Sequence, residues 1–198
     1  MKNILIAAAV MAMTFTATAQ EFDKMDKSPM DAAYYPAQAP KRAFAKTDEQ
    51  KMAQQPQIRV LYSRPSLNDR AIFTATDVKG SGITKFGEKW RVGANESTEI
   101  TFMKDAMIDG KEVKAGRYSM LVVPMEEQWM VHINSEVDAW GHYSHNANLD
   151  VATMTIPVTA GSESLENLSM TMYSPSENMV HLKMGWGTYR AELPITLL

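Results

Sequence analysis

From Ile58 onward the chain alternates between apolar and polar positions in short runs. Ile58, Val60 and Tyr62 interleave with Arg59, Leu61 and Ser63, and Trp129, Val131 and Ile133 with Met130, His132 and Asn134. Ala152, Met154, Ile156 and Val158 stand between threonines and Pro157. Leu168, Met170 and Met172 continue the pattern, as do Val180, Leu182, Met184 and Trp186, and Tyr189, Ala191 and Leu193 close it. A period of two with one apolar face predicts half-buried strands. Turn chemistry is expected between them at Asp109-Gly110, Ala115-Gly116, Ser174-Pro175 and Gly185/Gly187. Eight or nine such strands without a long amphipathic helix predict an all-β domain over residues 58–198. The expected form is an antiparallel two-sheet β-sandwich, with barrel-like closure as its variant. Asp138 to Asp150 is too polar and irregular for a strand and reads as a long loop, with room for a helical turn.

The N-terminal part has a different texture. Lys2, an apolar run of about twelve residues from Ile4 to Phe15, and Ala17-Thr18-Ala19 form a signal-peptide pattern over residues 1–19, with cleavage expected before Gln20. The run is shorter than the roughly twenty residues a membrane-spanning helix needs, so export to the periplasm or the extracellular space is expected, with no transmembrane segment. Residues 20–57 carry Pro29, Pro36, Pro40 and Pro56 and show no sustained period. They read as a flexible leader.

Composition narrows the function classes without choosing among them. Twenty basic residues against 23 acidic give a net charge of −3, which excludes nucleic-acid binding through a basic surface. Cysteine is absent, so disulfides, thiolate nucleophiles, Cys-ligated zinc and iron–sulfur clusters are excluded. Neither a Gly-rich phosphate loop nor a nucleophile elbow is present, and Gly80-Ser81-Gly82 reads as a flexible turn.

Several runs together resemble a known family: Tyr62-Ser63-Arg64-Pro65, Asn68-Asp69-Arg70 with Ile72-Phe73, and above all Trp90-Arg91-Val92-Gly93-Ala94-Asn95-Glu96-Ser97-Thr98. Ala115-Gly116-Arg117-Tyr118-Ser119-Met120 and Trp140-Gly141 add to them. They are similar to the pattern of the domain-of-unknown-function family numbered 2911, a group of exported bacterial proteins, over roughly Ile58 to Leu198. Gly82-Ile83-Thr84-Lys85-Phe86-Gly87 departs from it by lacking a proline before the Trp-Arg pair. The resemblance implies a fold and an exported setting, and no mechanism.

The densest polar constellation is Arg91, Asn95 and Glu96, with Arg64 and Arg70 upstream and Trp140 on the later loop. Guanidinium groups recognise carboxylates, phosphates or sugar hydroxyls through a planar fork of donors, and Trp90 could add a stacking wall. The competing reading is a loop held by an internal Arg–Glu pair. Among the histidines, His142 and His145 have the spacing of a metal-binding pair, with Asp138 or Asp150 as a third ligand. Met130/His132 and Met179/His181 would make a copper set if their strands were neighbours. Exposed loop histidines and methionine as core filler are the structural counterparts of both ideas.

No cofactor is strongly implied. The leading expectation is a non-catalytic binding domain of the bacterial envelope, for a small polar ligand, glycan or protein partner. The alternatives are a hydrolase using Glu96 with Asp150 or His142, and an assembly component without a pocket.

Overall fold

A computed structural model describes residues 21–75 and 82–198. The expected signal peptide, its cleavage point and the Gly80-Ser81 part of the glycine-rich turn lie outside the described residues. Strands dominate: β1 (Met30–Tyr35), β2 (Ile58–Ser63), β3 (Ala71–Thr74), β4 (Gly82–Lys85), β5 (Thr98–Phe102), β6 (Ala106–Ile108), β7 (Lys111–Val113), β8 (Gly116–Pro124), β9 (Gln128–Asn134), β10 (Asp150–Ser176) and β11 (Met179–Leu197). One short helix, α1 (Asp48–Ala53), and two 3-10 turns, Ala39–Phe44 and Ala147–Leu149, complete the described elements.

Nine strands are hydrogen-bonded in the order β1-β2-β5-β8-β9-β10-β11-β6-β7, every pairing antiparallel, and β3 and β4 form a separate parallel pair. The series is open, with β1 and β7 at its edges, so no barrel closes. The alternation read from the sequence sets the buried face: Ile58, Val60 and Tyr62 on β2, Trp129, Val131 and Ile133 on β9, and Val180, Leu182, Met184 and Trp186 on β11 are all buried.

Three features differ from expectation. The stretch 20–57, expected as a flexible leader, contains a strand. Residues 21–29 have no helix or strand, but β1 pairs with β2 along its whole length, from Met30↔Ser63 to Tyr35↔Ile58, and buries Ala33. A strand at a sheet edge needs only one covered face and one ladder, so it can form without a clear apolar period. Second, Ala152–Val158 and Leu168–Met172 belong to one strand, β10, which gives its first residues to β9 and the rest to β11. Third, Gly185 and Gly187 stand inside β11, and the tip of that hairpin is Glu177-Asn178, with Asn178 at φ 59°.

The glycines in β11 have a purpose. His181 and Glu192 are eleven positions apart, about 36 Å along an extended strand, yet their side chains meet at 3.0 Å. The strand is therefore folded back between them, at Gly185-Trp186-Gly187, where Gly187 takes φ 52°. β10 follows the fold, and its pairing shifts register between Ala160 and Leu165 and between Leu165 and Ser169. The apolar side buries a cluster in which Trp90 stacks on Trp186 (6.0 Å, 16°) and meets Trp129 edge-on (5.7 Å), while Phe73 packs edge-on against Trp90, Trp129 and Tyr189.

Candidate functional site: a cationic cleft beside a buried histidine–aspartate cluster

The six residues expected to share a binding surface divide into three places. Arg64 donates from Nη1 to Asp31 (2.9 Å), from Nε to the Leu168 carbonyl (3.0 Å) and from Nη2 to Ser169 (2.9 Å), tying β1 to β10. Arg70 donates to the carbonyls of Leu67 and Ser66. Both guanidinium groups thus hold the chain where it leaves β2. Glu96 and Trp140 form a bridge, with the Glu96 residue exposed and Trp140 60% exposed. Arg91 and Asn95 lie together.

Arg91 follows Trp90, which the core fixes at 3% exposure, so that aromatic belongs to the packing more than to any stacking wall. The Arg91 guanidinium donates from Nη1 to the Asn95 carbonyl (2.6 Å) and from Nη2 to the Tyr143 hydroxyl (3.2 Å), with its carbon 5.3 Å from the Tyr143 ring centre. The backbone of Gly141 also lies against the guanidinium. At φ 72° this residue lies so close that a Cβ would stand 2.8 Å from the guanidinium carbon. The loop carrying Gly141 is stitched down by Ser97, which donates its hydroxyl to the Gly141 carbonyl and its backbone N–H to Ala139 (2.9 Å). Only two of the five guanidinium N–H donors are thereby used among the described residues, and no ion pair of those residues includes Arg91.

Arg91, Asn95 and Tyr143 line a cleft of about 490 Å3, together with Lys85, Lys89 and His142, and Gly141 lies behind the Arg91 guanidinium. Among the described lining residues Glu88 is the one acidic group, and it sits 3.7 Å from Lys85. The described lining is therefore net cationic. Burial, then the nearby Arg91 and Lys89 charges, push the His142 imidazole below its ordinary value, so that it stands neutral at pH 7. Glu96 and Trp140 are not in the cleft lining.

A larger concavity of about 720 Å3 lies inside the fold-back of β10 and β11. Several of its charged groups are engaged by protein partners. Glu192 accepts from Tyr173 (2.5 Å), His181 (3.0 Å) and Lys183 (3.2 Å), while Arg190 donates to the carbonyls of Gly187, Tyr189 and Glu163. Burial works to raise the Glu192 carboxyl, but the three donors outweigh it and hold the group at about 2. His181 thus belongs to this network.

Behind the Arg91 loop, two of the other candidate histidines come together on one carboxylate. His132 on β9 donates from Nδ1 to one oxygen of Asp150 (2.9 Å), the first residue of β10, and His145 donates from Nε2 to the other (2.8 Å). An ionised carboxylate can only accept, which fixes where both imidazoles carry their protons. Asn134 donates to Asp150 Oδ1 (2.8 Å) and to the Asn146 carbonyl (2.9 Å). The side chains of His132, His145 and Asp150 are 13%, 1% and 9% exposed. Burial tends to raise the Asp150 carboxyl, but hydrogen bonds from Asn134, His145 and His132 outweigh it and keep it below the ordinary value. His132 and His181 stand on strands separated by β10, so the two Met–His pairs do not lie on adjacent strands. The role of Asp150 as the meeting point of β9 and the loop could have been read from no spacing, because it depends on the Asn134↔Asp150 register. Lys85 and Lys89 in the cleft were likewise missed, although they flank the Trp-Arg run.

The profile of the family described as "Protein of unknown function (DUF2911)" matches residues 44–195, and the chain belongs to that family. No curated protein and no solved structure matches it.

Proposed function

We propose that this DUF2911 member is an exported, non-catalytic binding domain whose cleft takes a small anionic ligand, a phosphate- or carboxylate-bearing metabolite or sugar. The observation that carries this reading is the Arg91 guanidinium. It is held against Tyr143 and Gly141 in a cleft whose described lining is cationic, and it keeps spare donors among the described residues. A charged fork held rigid before the ligand arrives loses little freedom on binding. The volume is in the range of small-molecule sites. The larger concavity is the weaker candidate because Glu192 already pairs with Lys183 and His181, and Arg190 already donates to three backbone carbonyls. A hydrolytic pairing of Glu96 with Asp150 or His142 has less support, since Glu96 is outside the cleft lining and Asp150 is engaged by two imidazoles and Asn134.

Export is supported by the pattern of residues 1–19. A two-layer reading of the β-fold goes with it, supported by the fold-back of β11 and the single buried cluster between the strands.

Isothermal titration with inorganic phosphate, glucose 6-phosphate, citrate and uncharged glucose tests the proposal. The anions are expected to bind and glucose not to, with affinity falling as salt is raised. Arg91→Ala should weaken binding by about tenfold or more, the worth of a charge-assisted hydrogen bond. Arg91→Lys, which keeps the charge and loses the fork, should fall between. Anion binding that is absent, or unchanged in Arg91→Ala, overturns the reading.

A further inference from the structure

We infer that His132, His145 and Asp150 form a binding site for one divalent transition-metal ion of the zinc class, separate from the anion cleft. Their nearest ligand atoms all lie within 4.8 Å of one another. Two imidazole nitrogens and a carboxylate oxygen are a donor set that suits zinc and its neighbours and does not suit calcium or magnesium, which want oxygen.

The three side chains converge in a nearly buried place. Asp150 is a nearly buried carboxylate, and its ion-pair partners among the described residues are His132 and His145, with no Lys or Arg. A carboxylate that is 9% exposed and has no permanent cation beside it among the described residues is a group that a protein normally compensates. The contrast lies within the same chain. Glu192 also accepts from a histidine, but Lys183 neutralises it and the pair is open to solvent. Asp150 has no such permanent cation. A divalent ion supplies the missing charge.

The surroundings fit. In an ion site the carboxylate needs a donor behind it to fix its angle, and Asn134 provides one at 2.8 Å while anchoring the loop through Asn146. His132 and Asp150 are held by the β9–β10 ladder, where His132 faces Thr153 and Asn134 faces Asp150. Two of the three ligands are therefore placed by regular structure. His145 Nδ1 is buried without a protein partner, and His145 lines a cavity of about 10 Å3, near the smallest space that holds one water. Once the Nε2 side binds metal, that water would accept the Nδ1 proton. Three protein ligands leave a fourth position for water, so the ion would also pin the 135–149 loop whose Gly141 and Tyr143 flank Arg91.

The test uses the full purified chain, stripped with a chelator and titrated with Zn2+ by calorimetry and with Co2+ by visible absorption. One equivalent should bind, and Co2+ should give the intense band of a four-coordinate site. His145→Ala and Asp150→Asn should each weaken Zn2+ binding by at least about tenfold, and His181→Ala should leave it unchanged. Because the Asp150 variant could unfold, nitrogen NMR of the unmutated chain is the second reading. Zn2+ must shift the imidazole resonances of His132 and His145 and spare His181. Absence of stoichiometric binding, equal affinity in the His145 and Asp150 variants, or shifts confined to other histidines would each overturn the site. None of these readouts depends on whether phosphate binds the Arg91 cleft.

Discussion

Gly141 is the residue on which the geometry of the cleft turns. It combines a left-handed φ of 72° with a guanidinium where a side chain would begin. A methyl group there is strained by its backbone and also strikes Arg91. Gly141→Ala is expected to lower stability by about 1–2 kcal/mol and to weaken phosphate binding by displacing the guanidinium. Thermal unfolding and calorimetry on the same preparation check both. Loss of stability with unchanged phosphate affinity would separate the glycine from the cleft. The Trp-Arg-x-Gly-Ala-Asn-Glu run was conspicuous as sequence and does carry Arg91 and Asn95, which meet. Arg64 and Arg70 looked equivalent in sequence, but Arg64 meets Asp31, the Leu168 carbonyl and Ser169, which only the fold brings near, whereas Arg70 takes the local carbonyls of Ser66 and Leu67.

Among the elements, β2, β9 and the two legs of β11 were legible because each buries every second residue, and burial on one face writes itself into the sequence. β1 was not. Met-Asp-Ala-Ala-Tyr-Tyr buries only Ala33 and draws its place from six ladder partners on β2 and from the Arg64–Asp31 pair. Its role predicts that a chain beginning at residue 37 unfolds several degrees lower than one beginning at residue 20. For a domain of this size about 2–4 °C corresponds to each kcal/mol. Equal melting temperatures would mean that the β1–β2 ladder adds nothing to the stability of the rest. The union of two apolar runs into β10 was hidden for another reason: the polar stretch Thr159–Asn167 looks like a loop, yet it is part of the strand and pairs with β11 across the bend with shifts of register.

Over the whole molecule, the bend couples distant parts of one strand through Glu192. Its ordinary value is 4.5 and in the fold it is held at about 2. A depressed carboxyl contributes its stabilisation fully above the ordinary value and loses it as pH falls towards the folded one. Acid should therefore erode stability between about pH 4.5 and 2. Glu192→Gln should be less stable at neutral pH and show a flatter curve through that window. Unfolding midpoints in urea at a series of pH values would show it, and parallel curves for the two proteins would discount the network of Tyr173, His181 and Lys183.

β10 is one continuous strand of 27 residues whose beginning pairs with β9 and whose end pairs with β11. Cutting the chain at its hairpin tip, Glu177-Asn178, would yield a long piece without the partner of β10's second half and a short piece that buries nothing by itself. Neither should fold alone, and mixing the two should restore the protein, which makes this tip a natural seam for a split reporter.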